Sequence, residues 1–214
     1  MDAWKEEKRI WKKGFKNVAC LDEAGRGPLA GPVVACAVCV KRRSNFSKIL
    51  KKIKDSKQLS SRQRNFLYKE ITNHPQIVWA TSKSSEEVID RINILEATKE
   101  AMKKAVSNLE KKLKKKVDFL ILDGNFKINS KLPQKSIIKG DQKVFSIMAA
   151  SIIAKVKRDR LMKRMHSKYP NYDFAGHKGY PTKNHRSLLV KNGPCKIHRK
   201  SFRPVSEVIK KPLD

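Results

Sequence analysis

The sequence is short of acidic residues. Its 214 residues contain 20 Asp and Glu against 50 Lys and Arg, a formal net charge of +30. Such an excess indicates a polyanionic partner, most simply a nucleic acid. Each lysine cluster taken singly is typical of a solvated helix face, so the prediction depends on the total charge.

Long apolar runs are also missing. The longest uncharged apolar stretch, residues 28–40, is interrupted by prolines and a glycine and is too short to cross a bilayer. The first sixteen residues are charged throughout, so we expect no secretory segment. An anionic membrane is therefore the weaker candidate for the partner.

Cysteine is scarce, which argues against a disulfide framework. Cys20, Cys36 and Cys39 lie in apolar, strand-like segments and are typical of small core residues, and Cys195 is isolated. Cys36 and Cys39 form a C-x-x-C without a second pair or a nearby histidine, so we expect no zinc site. A reducing cytoplasm is the expected setting.

Hydrophobic periodicity predicts an α/β domain. Strands are predicted at 17–22, 32–41, 76–83, 117–123 and 135–140. Helices are predicted at 61–72 after Ser60 or Ser61, at 86–92 after a Ser84–Glu87 capping box, at 93–115 and from about 141 to 168. The last 45 residues read as loops and short helices. This order favours a mixed sheet with a C-terminal helical appendage.

Acidic residues occur where predicted strands end. Asp22 and Glu23 close the first strand, Asp123 closes the apolar strand 117–123, and Asp141 follows the next strand. Carboxyl ends of strands are where α/β folds build their sites. Carboxylates gathered there repel one another unless a cation holds them, and oxygen ligands suit Mg²⁺ or Mn²⁺.

Each acid also has a simpler interpretation. Asp141 alone fits a helix N-cap, Asp123 with Gly124 fits a turn, and the Asp22–Glu23 pair could face solvent. The repetition of acids at strand ends, in a chain with few acids, favours one shared site.

Six segments resemble motifs of the bacterial ribonuclease HII family and occur in the family's order. They are DEAGRGPLAGPVVACAV at 22–38, DSKQLS at 55–60, LDGN at 122–125, KGD at 139–141 with SIMAASIIAKVKRDRLM at 146–162, HKGYPTKNH at 177–185 and GPCKIHRKSF at 193–202. The resemblance covers about residues 16–205. Cys36 and Met148 stand where smaller residues such as alanine are expected, and neither belongs to the motif acids.

The resemblance implies a fold and a division of the chain. It implies a ribonuclease H-like mixed sheet flanked by helices in a catalytic domain at 16–168, after an N-terminal extension at 1–15. A C-terminal helical region at 169–214 completes the substrate-binding cleft.

The resemblance also implies an activity. The expected enzyme is an endonuclease that uses two Mg²⁺ or Mn²⁺ ions. It cuts 5′ of ribonucleotides embedded in DNA duplexes, and the RNA strand of RNA–DNA hybrids, leaving a 3′-hydroxyl and a 5′-phosphate. This would serve the removal of misincorporated ribonucleotides, and a monomer is expected.

The resemblance assigns roles to individual residues. The catalytic and metal-binding residues are expected to be Asp22, Glu23, Asp123 and Asp141. The substrate-binding residues are expected to be Gly25, Arg26, Gly27, Lys57 and Tyr180. Glycines let backbone amides approach a sugar closely, and the 2′-hydroxyl distinguishes RNA from DNA.

Two other function classes remain for comparison. A non-enzymatic RNA-binding protein fits the charge and size but needs no acids at strand ends. Another ribonuclease H-like nuclease, an integrase or resolvase, does not explain the Gly-Arg-Gly loop or the context of Tyr180. For His177, His185 and His198 we expect phosphate contact or packing, and for Asp159 an ion pair with a neighbouring arginine.

Overall fold

The computed structural model describes residues 3–42 and 59–210. These residues form a mixed five-stranded sheet with helices against both faces. The strands are β1 Val18–Ala24, β2 Val33–Val40, β3 Ile77–Ser84, β4 Phe119–Asp123 and β5 Gln134–Ile137. The α-helices are α1 Lys5–Lys12, α2 Ser61–Thr72, α3 Glu86–Leu113, α4 Phe145–Lys168, α5 Phe174–His177, α6 Lys183–Asn192 and α7 Val205–Lys210.

The strands lie in the order β3-β2-β1-β4-β5. β1 pairs antiparallel with β2 and parallel with β4, β2 pairs antiparallel with β3, and β4 pairs parallel with β5. The predicted mixed sheet is thus confirmed. Because β1 and β4 run in the same direction, their carboxyl ends meet at one edge of the sheet.

Alternation along β2 builds two cores, one on each face of the sheet. Cys36, Val38 and Val40 pack with α2 and α4 on one face. Ala35 and Ala37 pack with α3 on the other. All eight residues of β2 are buried, which explains why the strand is a continuous apolar run and not an alternating one.

The two ends of the described chain also contribute to the core. On α1, Ile10 and Trp11 are buried, and Glu7 accepts a hydrogen bond from the backbone amide of Ser146 at the start of α4. The C-terminal short helices enclose a further cluster that includes Phe174. None of the helices in the described ranges has the length and apolar composition to span a bilayer.

Several predicted boundaries are wrong. β1 does not end at Asp22 but continues to Ala24, because its pairing with β2 outlasts its pairing with β4. The cap of α3 is Ser85, whose hydroxyl accepts from the Val88 amide, while Ser84 is still part of β3.

The helix predicted to begin near Asp141 starts later, at Phe145. Asp141 lies instead in a separate turn of 3-10 helix, Gly140–Gln142, and α4 begins after Val144 without a side-chain cap. The simpler interpretation of Asp141 as the N-cap of the long helix is therefore excluded.

Candidate active site

Asp22 and Glu23 are consecutive residues of β1, so their side chains leave opposite faces of the sheet. The Asp22 side chain lies on the face of the sheet that α4 covers, where Ser151 lowers its pKa, and its Oδ1 accepts a hydrogen bond of 2.7 Å from the Glu23 amide. Only 4 % of Asp22 is exposed. One Glu23 oxygen pairs with Arg26 at 3.4 Å, and the other is buried without a hydrogen-bond partner in the described residues.

Asp123 ends β4, beside β1. Its Oδ1 accepts a hydrogen bond of 2.6 Å from the Gly140 amide, which brings the turn containing Asp141 against the end of the strand. A Cβ on Gly140 would lie 2.7 Å from Ile147 Cδ1 and 3.2 Å from Asp123 Oδ1. The glycine therefore allows the close approach of the two segments.

The four predicted acids interact electrostatically along this edge. Burial raises the pKa of Asp22 well above its usual value, and the Glu23 and Asp123 carboxylates raise it further. Burial also raises the pKa of Glu23 to about 7; the Arg26 guanidinium opposes this shift and Asp123 adds to it. The pKa of Asp123 is raised by burial and by the Asp141 carboxylate. These raised pKa values mean that the carboxyl groups at this edge favour their protonated, neutral forms.

The carboxylates share this edge without forming a finished metal cage. Across residues 3–42 and 59–210, no three His, Cys, Asp or Glu side chains converge closely enough to hold a metal ion as they stand. The raised pKa values and the buried, unpartnered Glu23 oxygen are what a cation would relieve.

The Gly-Arg-Gly loop follows β1 directly, and its two glycines have different surroundings. Gly25 is buried with a φ of +101°, and a Cβ there would overlap the Arg158 side chain. Gly27 is exposed, and a Cβ there would meet no atom of the described residues within 4 Å. Arg26 lies between them with its guanidinium over the Phe126 ring at 5.6 Å.

Two buried arginines that the sequence did not single out, Arg199 and Arg158, support this loop and its continuation to Pro32 from the side of the protein interior. Arg199 is completely buried and donates hydrogen bonds to the carbonyl oxygens of Gly25, Arg26 and Gly31 at 2.6 to 3.0 Å. Arg158 is also completely buried and donates to the carbonyl oxygens of Ala30, Pro32 and Lys178 at 3.0 to 3.1 Å. Nothing in a single sequence separates these arginines from the many others in a basic chain.

Tyr180 lies beside the same loop and is 37 % exposed. Its ring is within 5.2 Å of Lys155 Nζ and 5.6 Å of Arg158 Cζ. The Leu29 amide donates to the carbonyl oxygen of the preceding Gly179 at 2.8 Å, so the two loops are joined by their backbones.

The three histidines serve packing. His177, His185 and His198 are buried, and the rings of His177 and His185 stack with their centroids 4.1 Å apart. His198 Nδ1 accepts from the Cys195 amide, so its Nε2 donates to His185 Nε2 at 3.1 Å. His185 Nδ1 then donates to the Tyr180 carbonyl oxygen at 2.9 Å. Burial lowers the pKa of both His185 and His198 to about 4, which keeps this chain of hydrogen bonds neutral.

Two further expectations have separate outcomes. Asp159 pairs with Lys155 at 2.8 Å, because residues four apart face each other on α4, and it forms no ion pair with an arginine in the described part of the chain. Lys57, expected to bind substrate, lies outside the described residues.

Comparisons with known proteins agree with this fold. Residues 19–205 match the family model described as Ribonuclease HII. The chain is 48% identical over 203 residues to ribonuclease HII of Chlamydia caviae, covering 95% of this chain and 92% of that protein. It resembles the crystal structure of ribonuclease H2 from Pyrococcus horikoshii OT3 with a TM-score of 0.72 and 25% identity, over 90% and 96% of the two chains.

A more distant likeness concerns the fold alone. Bst-RNase HIII, solved in complex with Mn²⁺, has a TM-score of 0.68 and 16% identity, over 91% of this chain and 69% of that one. The resemblance drawn from the motifs is confirmed by the family match and by the identity across nearly the whole chain. The chain therefore belongs to the ribonuclease HII family, and its activity is that of a ribonuclease H.

Proposed function

We propose that this ribonuclease cuts on the 5′ side of ribonucleotides embedded in duplex DNA, as well as the RNA strand of RNA–DNA hybrids. The observation that carries the proposal is the continuity of β1 with the Gly-Arg-Gly loop. The carboxylates of Asp22 and Glu23, near the end of the strand, are followed within five residues by exposed backbone at Gly27. Cleavage and recognition of the ribose can therefore be aligned by one short segment.

Asp22, Glu23, Asp123 and Asp141 are the residues that would hold Mg²⁺ or Mn²⁺. Their fit rests on the buried Glu23 oxygen without a partner among the described residues and on the burial and mutual repulsion that raise the pKa values of three of the acids. When bound, a pair of divalent ions supplies the positive charge that stabilises the attacking and leaving oxygens of an in-line displacement at phosphorus. Hard oxygen ligands favour these ions over zinc.

The chain's own residues orient the substrate over this edge. The exposed amides of Arg26 and Gly27 are placed to meet a ribose hydroxyl, the group that distinguishes RNA from DNA. The half-exposed ring of Tyr180 is placed to pack against the neighbouring sugar or base, and we assign Lys57 to substrate binding as well. The site can in this way recognise a ribose without reading the base.

A basic cavity beside these loops suits the duplex backbone. It has a volume of about 140 Å³, lies between α2 and α4, and is lined by Arg64, Arg160, Lys163 and Lys178 among others. Phosphate contacts of this kind give affinity that is independent of sequence. Such binding suits an enzyme that must find rare ribonucleotides in long DNA and so serve their removal.

The direct test uses the purified protein with Mg²⁺ or Mn²⁺ and a labelled DNA duplex carrying one ribonucleotide. We expect one cut on the 5′ side of the ribonucleotide, with a 3′-hydroxyl and a 5′-phosphate. The matched all-DNA duplex should be bound and left intact. A 2′,3′-cyclic phosphate product would contradict the proposal, because that product requires the 2′-hydroxyl as nucleophile.

A further inference from the structure

Arg199 and Arg158 are the two largest fully buried side chains in the described part of the chain, and neither forms an ion pair there. Both direct their guanidinium groups at backbone carbonyls. A buried charge without a carboxylate partner is an expensive way to stabilise a fold. Such a charge calls for an explanation other than stability alone.

The carbonyls that Arg199 binds belong to the loop that follows the acids. Gly25, Arg26 and Gly31 all point their carbonyl oxygens inward to this one guanidinium. Among the described residues, the amides of Arg26 and Gly27 donate no hydrogen bond in return. The arginine therefore fixes one side of these peptide groups and leaves donors on the exposed side.

Arg158 joins this loop to the loop of Tyr180. Its Nε and Nη2 bind the carbonyls of Pro32 and Ala30, and its Nη1 binds the carbonyl of Lys178. The same guanidinium lies 5.6 Å from the centre of the Tyr180 ring. The exposed amides and the aromatic ring are consequently attached to one rigid support.

Arg199 is itself held from behind by Asp90. The Asp90 carboxylate accepts hydrogen bonds of 2.8 and 2.9 Å from the amides of Lys200 and Ser201 and one from the Ser201 hydroxyl. The Arg199 amide also donates to the Leu29 carbonyl at 2.8 Å. Asp90 on α3 thus positions the Arg199 backbone through the two residues that follow it.

We propose that Arg199 is a positioning residue that sets specificity for a single ribonucleotide, by holding the amides of Arg26 and Gly27 in register with the carboxylate edge. This inference rests on the proposed function, because it assigns the loop to ribose recognition. Lysine cannot replace Arg199, since one ammonium group lacks the planar fork that binds three carbonyls at once. A displacement of about 1 Å at a reacting centre can cost on the order of a hundredfold in rate.

The test compares Arg199→Lys with the wild type on a duplex with one ribonucleotide and on a continuous RNA–DNA hybrid. We expect kcat on the single ribonucleotide to fall by about 10- to 100-fold, with KM and duplex affinity nearly unchanged. On the hybrid, where many registers are productive, we expect a loss of about threefold or less. Arg199→Lys should therefore lower the ratio of activity on the single ribonucleotide to activity on the hybrid. Asp90→Ala, which removes no buried charge, should lower this ratio by a smaller amount.

Leu109→Ala is the matched control, because it destabilises the core between α3 and the sheet, in a cluster of described residues that includes none from the two loops. Where Leu109→Ala lowers the melting temperature as much as Arg199→Lys does, it should lower the activities on the two substrates by the same factor. The inference would be overturned if neither Arg199→Lys nor Asp90→Ala changed the ratio of activity on the single ribonucleotide to activity on the hybrid. It would also be overturned if Leu109→Ala changed this ratio as much as Arg199→Lys does. Failure of the wild type to cut at a single ribonucleotide would instead overturn the proposed function.

Discussion

The carboxylate edge and the pair of loops beside it are adjacent but differ in how their polar groups are satisfied. At the edge, Asp22 is buried and Glu23 is largely buried, with like charges nearby, and one Glu23 oxygen has no partner among the described residues. Beside the loops, Arg199 and His185 use their polar atoms in hydrogen bonds to loop carbonyl oxygens and to His198. The edge is incomplete without a cation, whereas the loops are already organised before any substrate arrives.

The difference indicates that the carboxylate edge and the loops have separate roles in catalysis and in substrate discrimination. Carboxylates that are desolvated and repel one another gain most from binding cations. The acids of the edge therefore suit a catalytic role. Loops whose backbone is held on the inner side lose little conformational freedom on binding, so they suit discrimination between closely similar substrates. Substitutions in the two regions should therefore fail in different ways.

The largest effect is expected at the edge. Asp123→Asn keeps the size of the side chain but removes a negative charge, so cleavage should fall by on the order of a thousandfold or more. Duplex affinity should stay within about twofold, because it depends on phosphate contacts. Cleavage rates and a binding titration with the same labelled duplex measure both. Near-normal cleavage would remove Asp123 from the proposed site.

Substitutions at the two glycines of the loop distinguish the role of its internal support, at Gly25, from the role of its exposed surface, at Gly27. Gly25→Ala should lower the melting temperature by on the order of 3 °C or more, because a side chain at this positive φ also displaces Arg158. Cleavage at a single ribonucleotide should fall by about a hundredfold.

Gly27→Ala is the matched variant, since its methyl group lies more than 4 Å from every other atom of the described residues beyond its chain neighbours. Its melting temperature should equal that of the wild type, while cleavage at a single ribonucleotide falls by about tenfold because the methyl group obstructs the sugar. Thermal denaturation and kinetics of both variants make the comparison. Equal melting temperatures for Gly25→Ala and Gly27→Ala would contradict the rigid support of the loop.

Removal of the aromatic ring should have a smaller effect. Tyr180→Ala should slow cleavage at a single ribonucleotide by about tenfold, consistent with the 1–3 kcal/mol of a stacked base. The continuous hybrid should be affected less, and the melting temperature should change little because the ring is partly exposed. An equal loss on both substrates, or a large drop in melting temperature, would assign Tyr180 to packing instead.

The smallest effect concerns stability and pH. Glu23 has a pKa raised to about 7, so between its unfolded pKa and pH 7 the folded protein retains a proton that the unfolded chain has lost. The stability due to this neutral acid is present at low pH and is lost as pH rises through 7. In the metal-free protein, Glu23→Gln should therefore stabilise relative to the wild type at pH 8, by at most about 3 kcal/mol, and by little at pH 5.

Chemical denaturation of both proteins with a chelator, at several pH values, gives the difference in free energy of unfolding. The difference between the two proteins removes the contribution of His185 and His198, whose low pKa values act in the opposite direction on acidification. Added Mg²⁺ at pH 8 should stabilise the wild type more than the variant. Parallel stability curves would show that Glu23 is not frustrated at the edge.

Much of the fold could be predicted from local patterns. The five strands were found because their apolar runs are bounded by glycine, proline or charge, and the Ser60–Gln63 capping box confirms the start of α2. The boundaries that failed did so for tertiary reasons. Pairing with β2 carried β1 past Asp22, and the contact of Gly140 with Asp123 separated Asp141 from α4.

The sequence by itself determined the mixed α/β fold, the basic surface, the family and the acids at strand ends, because periodicity, charge and motif order are local properties of the chain. Only the tertiary structure decided that Asp22 and Glu23 leave opposite faces of one strand, and that His185 and His198 pack as a neutral pair. It alone placed Arg158 and Arg199 under the loops. Apart from the contact of Arg158 with Lys178, those contacts join residues more than 120 positions apart. No local pattern shows which of many arginines will be buried against a distant carbonyl.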